Sequence, residues 1–246
     1  MMSWEILLPL CLGMALVAFL YSSVGHAGAS GYIAVMALAG LAPQMIKPIA
    51  LTLNILVAFV TAWNFLRRGH FSWAIFLPFA LASVPMAFLG GYLHVADTLL
   101  RILIGCVLLY SSFYFLFHPQ EPSQIHAPSK PVSCGAGGVL GLLSGMTGTG
   151  GGIFLTPLLL LMKWSGTKTA AGISALFILV NSSAGLAGHW LKSPGIPGLV
   201  WPMIACVLIG GWTGSFLGSN RFSAPMIKRL LSIVLFVAGL KLIFSR

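Results

Sequence analysis

Ser144-Gly-Met-Thr-Gly-Thr-Gly-Gly-Gly152, followed at once by the apolar run Ile153 to Met162, decides what kind of molecule this is. Ten apolar residues make a helix of about 15 Å at about 1.5 Å per residue, roughly half of a bilayer core about 30 Å thick. A cluster of glycines ahead of an undersized apolar segment therefore reads as a helix broken at membrane depth. The same arrangement occurs earlier: Ser22-Ser-Val-Gly-His-Ala-Gly-Ala-Ser-Gly31 precedes the run Tyr32 to Leu41, again ten residues. Both short runs are expected to be half-helices, each folded back in a hairpin.

The surroundings of these breaks are those of a membrane protein. Of 246 residues, 58% are apolar and 7% charged, whereas soluble domains carry about 25% charged residues. Too few polar side chains are present to build a water-facing surface. The net charge of +10 arises from 13 Lys and Arg set against Glu5, Asp97 and Glu121. Because the basic residues stand between apolar runs and not along one face, the positive-inside effect accounts for them, and no nucleic-acid partner is expected. Cys11, Cys106, Cys134 and Cys206 have neither CxxC nor Cys/His spacing, so no metal site, disulfide framework or cofactor is expected. The first apolar run follows Met-Met-Ser-Trp-Glu, without the basic region of a signal peptide, and should remain as a helix.

Ile6–Tyr21, Ile49–Leu66, Trp73–Leu93, Leu99–Phe117, Thr169–Leu191, Gly198–Leu217 and Leu230–Phe244 read as spans. The one long polar, proline-containing stretch divides the chain into a first transmembrane repeat (1–118), a linker (119–134) and a second repeat (135–246). A weak duplication supports the division. Ser23, Gly31 and Lys47 fall on Ser144, Gly152 and Lys168 at an offset of 121; Trp73, Leu89, Gly90 and Arg101 fall on Trp201, Leu217, Gly218 and Arg229 at an offset of 128. With each hairpin counted as two passes, each repeat has five segments, and an odd number inverts the second repeat. Arg67, Arg68, Lys130, Lys163, Lys168, Arg221, Lys228 and Arg229 then collect on one side, which the positive-inside rule makes cytoplasmic, with both termini outside. The expected fold is an all-α polytopic membrane protein of two inverted repeats, each of about five helical segments and each opening with a broken helix.

A broken helix offers backbone N–H groups at the positive end of the next half-helix, a ready anion site. The candidate substrate-binding residues are Ser22, Ser23, Gly25, His26, Gly28, Ser30 and Gly31 in the first break and Ser144, Thr147, Gly148, Thr149, Gly150, Gly151 and Gly152 in the second. Asn54 and Asn181, within long spans, could point amides at the same place. Glycine can instead serve close helix packing, and intramembrane Asn can serve interhelical hydrogen bonding; two breaks at matching places favour a ligand. No Asp or Glu lies within a long span, which argues against a cation pump. Nor is there a GxxxxGK[ST] motif, so the driving force must be a gradient or a partner. No nucleophile and base can be assembled, so an enzyme is not expected.

The run Gly141-Leu-Leu-Ser-Gly-Met-Thr-Gly-Thr-Gly-Gly-Gly-Ile-Phe-Leu-Thr-Pro157 and the run Lys168-Thr-Ala-Ala-Gly-Ile-Ser-Ala-Leu-Phe-Ile-Leu-Val-Asn-Ser-Ser-Ala-Gly185 resemble the sulfite exporter TauE/SafE permease family. The resemblance spans nearly the whole chain and is most specific in its second half. It implies a permease of the bacterial inner membrane with two homologous halves, carrying sulfite, sulfonates or related sulfur-containing anions. The family's glycine signature falls on Gly148, Gly150, Gly151 and Gly152, and its Asn-containing helix on Asn181; the first half departs from it, with His26, Ala29 and Ser30 inside the break. The expected partners are a small anionic substrate and the lipid bilayer, with a proton or sodium as candidate coupling ion and a homodimer as candidate assembly. The alternative is a non-transporting membrane subunit of a sulfur-metabolism system.

Overall fold

The computed structural model describes residues 4–93, 98–121, 124–191, 195 and 198–244. Ten helices run through them: α1 (Trp4–Ser23), α2 (Ala29–Leu38), α3 (Pro43–Arg67), α4 (Trp73–Tyr92), α5 (Thr98–Phe117), α6 (Lys130–Thr147), α7 (Gly152–Leu161), α8 (Thr167–Trp190), α9 (Val200–Asn220) and α10 (Ala224–Phe244). The described residues contain no strand. Four helices, over 44–67, 73–92, 167–190 and 200–220, are long and apolar enough to cross a membrane. Helix is the natural outcome, because backbone in lipid must satisfy its hydrogen bonds within the segment. The chain is an all-helical, multi-pass membrane protein.

α2 and α7 have ten residues each, and each follows a glycine turn. Gly25, with φ 84°, closes α1 through His26 N–H to Tyr21 O and Gly25 N–H to Ser22 O, the paired bonds of a Schellman cap. Gly148, with φ 71°, closes α6 through its N–H to Ser144 O. Gly28 (φ 99°) and Gly151 (φ 78°) then stand as the N-caps of α2 and α7. α2 thus begins three residues before the expected Tyr32. The left-handed turn falls on Gly28, whereas Gly31 is helical and lacks a side chain because Val17 of α1 fills that space.

The positive-φ residues around the two breaks recur at a constant spacing. Gly25 and Gly148, Gly28 and Gly151, and Gly40 (φ 74°) and Lys163 (φ 54°) are each 123 positions apart (148 less 25, 151 less 28, 163 less 40). Helix contacts come in exchanged couples: α1 packs on α9 as α6 packs on α4, α3 on α9 as α8 on α4, and α2 on α10 as α7 on α5. Counterpart helices meet antiparallel. Asn54 of α3 bonds Ser182 of α8 while Phe65 lies against Gly172; Gly105 of α5 lies against Ile243 of α10 while Ser112 bonds Ser232.

Two glycine stripes seat the long helices. A Cβ at Gly137, Gly141 or Gly145 of α6 would collide with the carbonyl oxygens of Phe79, Ser83 and Ala87 on α4. In the exchanged couple the stripe moves to the other partner: Gly210, Gly214 and Gly218 of α9 lie on the carbonyls of Ala15, Phe19 and Ser23 in α1. Spacing of four residues lines these glycines along one face, so the backbones approach closely, the usual means of helix association in lipid.

Several basic residues make backbone contacts near the start of α8, the end of α9 and the start of α10. His70 Nε2 and Lys168 Nζ both lie on Ser219 O, at 3.2 and 3.3 Å. Glu121 accepts from Thr167 N–H, and Lys228 Nζ donates to Gln120 O. His126 N–H reaches Lys163 O at 3.1 Å. Burial, Lys168 and Arg68 lower the pKa of the His70 imidazole, against the Ser219 carbonyl, which raises it.

Candidate functional site

The hairpins enter from opposite ends and pass each other. The tip of the first, Gly25, sits on the backbone of Ala171 in the opening turns of α8, where no Cβ could fit. The tip of the second, Gly148, sits on the Lys47 side chain in the opening turns of α3. Between the tips lies Asn54, fully buried in the middle of α3. Its Oδ1 accepts from Ala29 N–H, the first amide of α2, at 3.1 Å. Its Nδ2 donates to Ser182 Oγ at 2.9 Å and to Thr149 O of the second break at 3.4 Å. One side chain therefore ties both breaks together. It can do so because Gly150 has no side chain: a Cβ there would stand 2.6 Å from Asn54 Nδ2 and from Ser182 Oγ.

A second tie crosses between the hairpins. His26, 2% exposed, places Nε2 2.8 Å from Thr156 Oγ1 on α7, and Thr156 Oγ1 donates to Ser174 Oγ on α8 at 2.7 Å. Two lysines approach as well. Lys47 Nζ donates to Met146 O at the end of α6, and Lys241 Nζ, from the far end of the chain, donates to Ser30 O in the first turn of α2 at 2.9 Å. No carboxylate belongs to either break, so any charge that these two lysines bring is unopposed by an acidic side chain there.

The remaining expected residues separate into groups. Ser22 and Ser23 donate to their own helix at Phe19 O and Leu20 O and stand in the α1–α9 seam, beside Gly214 and Gly218. Ser30 Oγ donates to Tyr21 OH at 3.0 Å. Gly28 lies under the Tyr32 ring, and Gly152 packs on Ile178. Thr147 Oγ1 bonds Leu143 O and Thr149 Oγ1. Ser144 Oγ and Asn181 Oδ1 are buried with no hydrogen-bond partner. Asn181 Nδ2 donates within its own helix to Phe177 O, so the asparagine pair is not equivalent: Asn54 bridges both breaks, and Ser182 is its partner on α8. Thr156, Ser174 and Lys241 were not anticipated. The first two are polar interruptions of apolar runs, a readable signal; Lys241 meets Ser30 across 211 residues, which no local pattern reveals.

A family model for the sulfite exporter TauE/SafE family matches residues 10–242. The chain belongs to the TauE/SafE family. A probable membrane transporter protein of Sinorhizobium fredii is 38% identical over 241 residues, covering 96% of this chain and 97% of that protein. A probable membrane transporter protein of Xylella fastidiosa is 32% identical over 120 residues, 47% of this chain and 44% of its own length. One from Methanocaldococcus jannaschii is 25% identical over 136 residues, 53% and 50% of the respective lengths. No solved structure matches. For a TauE/SafE member the arrangement is chemically coherent: N-termini of half-helices, neutral hydroxyls and lysines can oppose a negative charge.

Proposed function

We propose that this protein is a secondary permease of the inner membrane that carries a small oxyanion, sulfite or a sulfonate, bound where the two helix breaks meet. Membership of a transporter family supports the general class, and one observation carries the site: Asn54 joins the first amide of α2 to the Thr149 carbonyl, so the half-helix termini share one buried locus. The unpartnered Ser144 Oγ, which lies against Gly151 of the second break, is the second support, because a buried hydroxyl without a partner costs about 1–3 kcal/mol unless something arrives to bond it.

Two inverted repeats supply alternating access. The antiparallel meeting of α3 with α8 and of α5 with α10 supports inversion, and the gathering of Arg and Lys loops at one end makes that end cytoplasmic. Each hairpin tip then acts as a seal: Gly25 on Ala171 toward the cytoplasm, Gly148 on Lys47 toward the outside. Rocking one repeat against the other opens one seal while holding the other. The substrate is neither cleaved nor modified, so the protein is a carrier and not an enzyme.

Labelled sulfite flux in proteoliposomes tests this reading, with Gly151→Leu as the blocked form. A side chain at Gly151 would enter the space between Phe177 Cε1 (2.9 Å) and Ser144 Cβ (3.0 Å), at a backbone with φ 78°. Flux in the wild type and none in folded Gly151→Leu is expected. Equal flux in both removes the site from the second break, and no flux in the wild type favours the non-transporting subunit.

A further inference from the structure

We propose that His26 is the proton-binding group that couples anion movement to a proton gradient; this rests on the anion site proposed above. The tautomer follows from the hydrogen bonds. Thr156 has one hydroxyl proton and gives it to Ser174 Oγ, so Thr156 Oγ1 can only accept from His26. His26 therefore carries its proton on Nε2, and Nδ1 is a bare lone pair, buried and without a hydrogen-bond partner. An unused base inside a membrane protein, at the crossing of its two broken helices, is a place to put a proton.

The surroundings decide when that proton binds. The ring lies 6.4 Å from Tyr21, centroid to centroid, and across the hairpin from Thr156 and Ser174, which do not titrate. Tyr32 covers Gly28 from α2, Lys241 reaches Ser30 O from α10, and Lys47 reaches Met146 O from α3. Any charge that Lys47 or Lys241 carries near the breaks is thus positive, and the ring faces the first turns of α7, the positive end of its dipole. In the empty site burial and these basic neighbours oppose an imidazolium, while the Gly152 backbone favours it. A bound anion reverses this: unit charges about 6 Å apart at an effective dielectric of about 20 attract enough for a roughly 100-fold change in affinity. By linkage, the proton tightens the anion by the same factor. Nδ1 takes a proton from the open side, the imidazolium and the anion cross together, and Nδ1 returns the proton to the other side. This singles out the proton from the two candidate coupling ions.

The probe is methanesulfonate, which stays ionised and so cannot carry the proton itself, as sulfite can. In liposomes at zero membrane potential, the wild type should accumulate labelled methanesulfonate under a pH gradient and take up protons with it. His26→Gln keeps an amide donor toward Thr156 but has no base. Whatever its absolute exchange rate, its ratio of gradient-driven to exchange flux should fall tenfold or more, and its anion-dependent proton uptake should vanish. A wild type that exchanges methanesulfonate but ignores the gradient overturns the proposal, as does a His26→Gln protein that still follows it. Absence of any exchange counts against the anion site instead. In that case the 15N histidine spectrum decides, from the resonance missing in His26→Gln: an Nε2–H tautomer sustains the proton site, and an Nδ1–H tautomer overturns it.

Discussion

In the first break Gly25 and Gly28 take positive φ with Ala27 between them, whereas in the second Gly148, Gly150 and Gly151 all do. The first holds His26, and its tip is seated on backbone; the second is lined by hydroxyls, and its tip is seated on a flexible lysine. Even the first amide differs: Ala29 N–H of α2 is taken by Asn54, and among the described residues no side-chain bond to the opening amides of α7 is seen. The two breaks thus share turn geometry and differ in chemistry. The first break is tied on both sides through Asn54 and His26, whereas the second leaves the buried Ser144 hydroxyl beside it without a hydrogen-bond partner.

The largest expected effect tests the seating of the tips. Gly25→Ala adds left-handed strain of about 1–2 kcal/mol to a collision with the Ala171 backbone, for a total of about 3–5 kcal/mol. Gly148→Ala carries the same strain, but its Cβ meets only Lys47 Cγ at 3.2 Å, which can move aside; it should cost about 1–2 kcal/mol. Thermal unfolding in detergent compares them. Equal losses would mean that both tips are seated alike.

Next comes the asparagine pair. Asn54→Leu removes three hydrogen bonds to three other segments, each worth about 0.6–2 kcal/mol in membranes, and should destabilise by about 2–4 kcal/mol. Asn181→Leu removes one bond inside its own helix and should cost about 1 kcal/mol or less. Chemical denaturation in mixed micelles measures both, and comparable costs would restore the equivalence that the sequence suggests.

That suggestion marks where sequence reading stops. The half-helices were legible because a glycine cluster and a ten-residue apolar run are both local facts. The start of α2 was not, because Gly28 and Gly31 look alike in sequence, and only the fold decides which takes φ 99° and which makes room for Val17. The same choice sets the offset between the breaks: 121 when Gly31 is matched to Gly152, 123 when the positive-φ glycines are matched. Asn54 and Asn181 were singled out correctly as intramembrane amides, but they stand about one turn apart in their helices once α3 and α8 are aligned at their starts. Hydrogen bonding then passes to Ser182. Lys241 illustrates the remaining gap: its meeting with Ser30 depends on α10 packing on α2, and long-range packing leaves no trace in spacing.

The smallest effect on stability makes the sharpest distinction between the breaks. Ser144 and Tyr21 stand at equivalent places, 123 positions apart (144 less 21), each near the end of the helix before its break. The Tyr21 hydroxyl is partnered by Ser30 Oγ; the Ser144 hydroxyl, equally buried, has no partner and lies against the start of α7. Tyr21→Phe removes a made bond and should cost about 1 kcal/mol of stability while leaving sulfite affinity nearly unchanged. Ser144→Ala removes an unmade one, so stability should hold or rise by up to about 1 kcal/mol. Its cost should appear only when the anion is present, as a roughly tenfold loss of sulfite affinity, because a hydroxyl bonded to a charge contributes about 1.5–3 kcal/mol. Unfolding curves and sulfite titrations on the same two proteins separate the cases: a hydroxyl kept for packing would change the first measurement, and one kept for a ligand changes only the second.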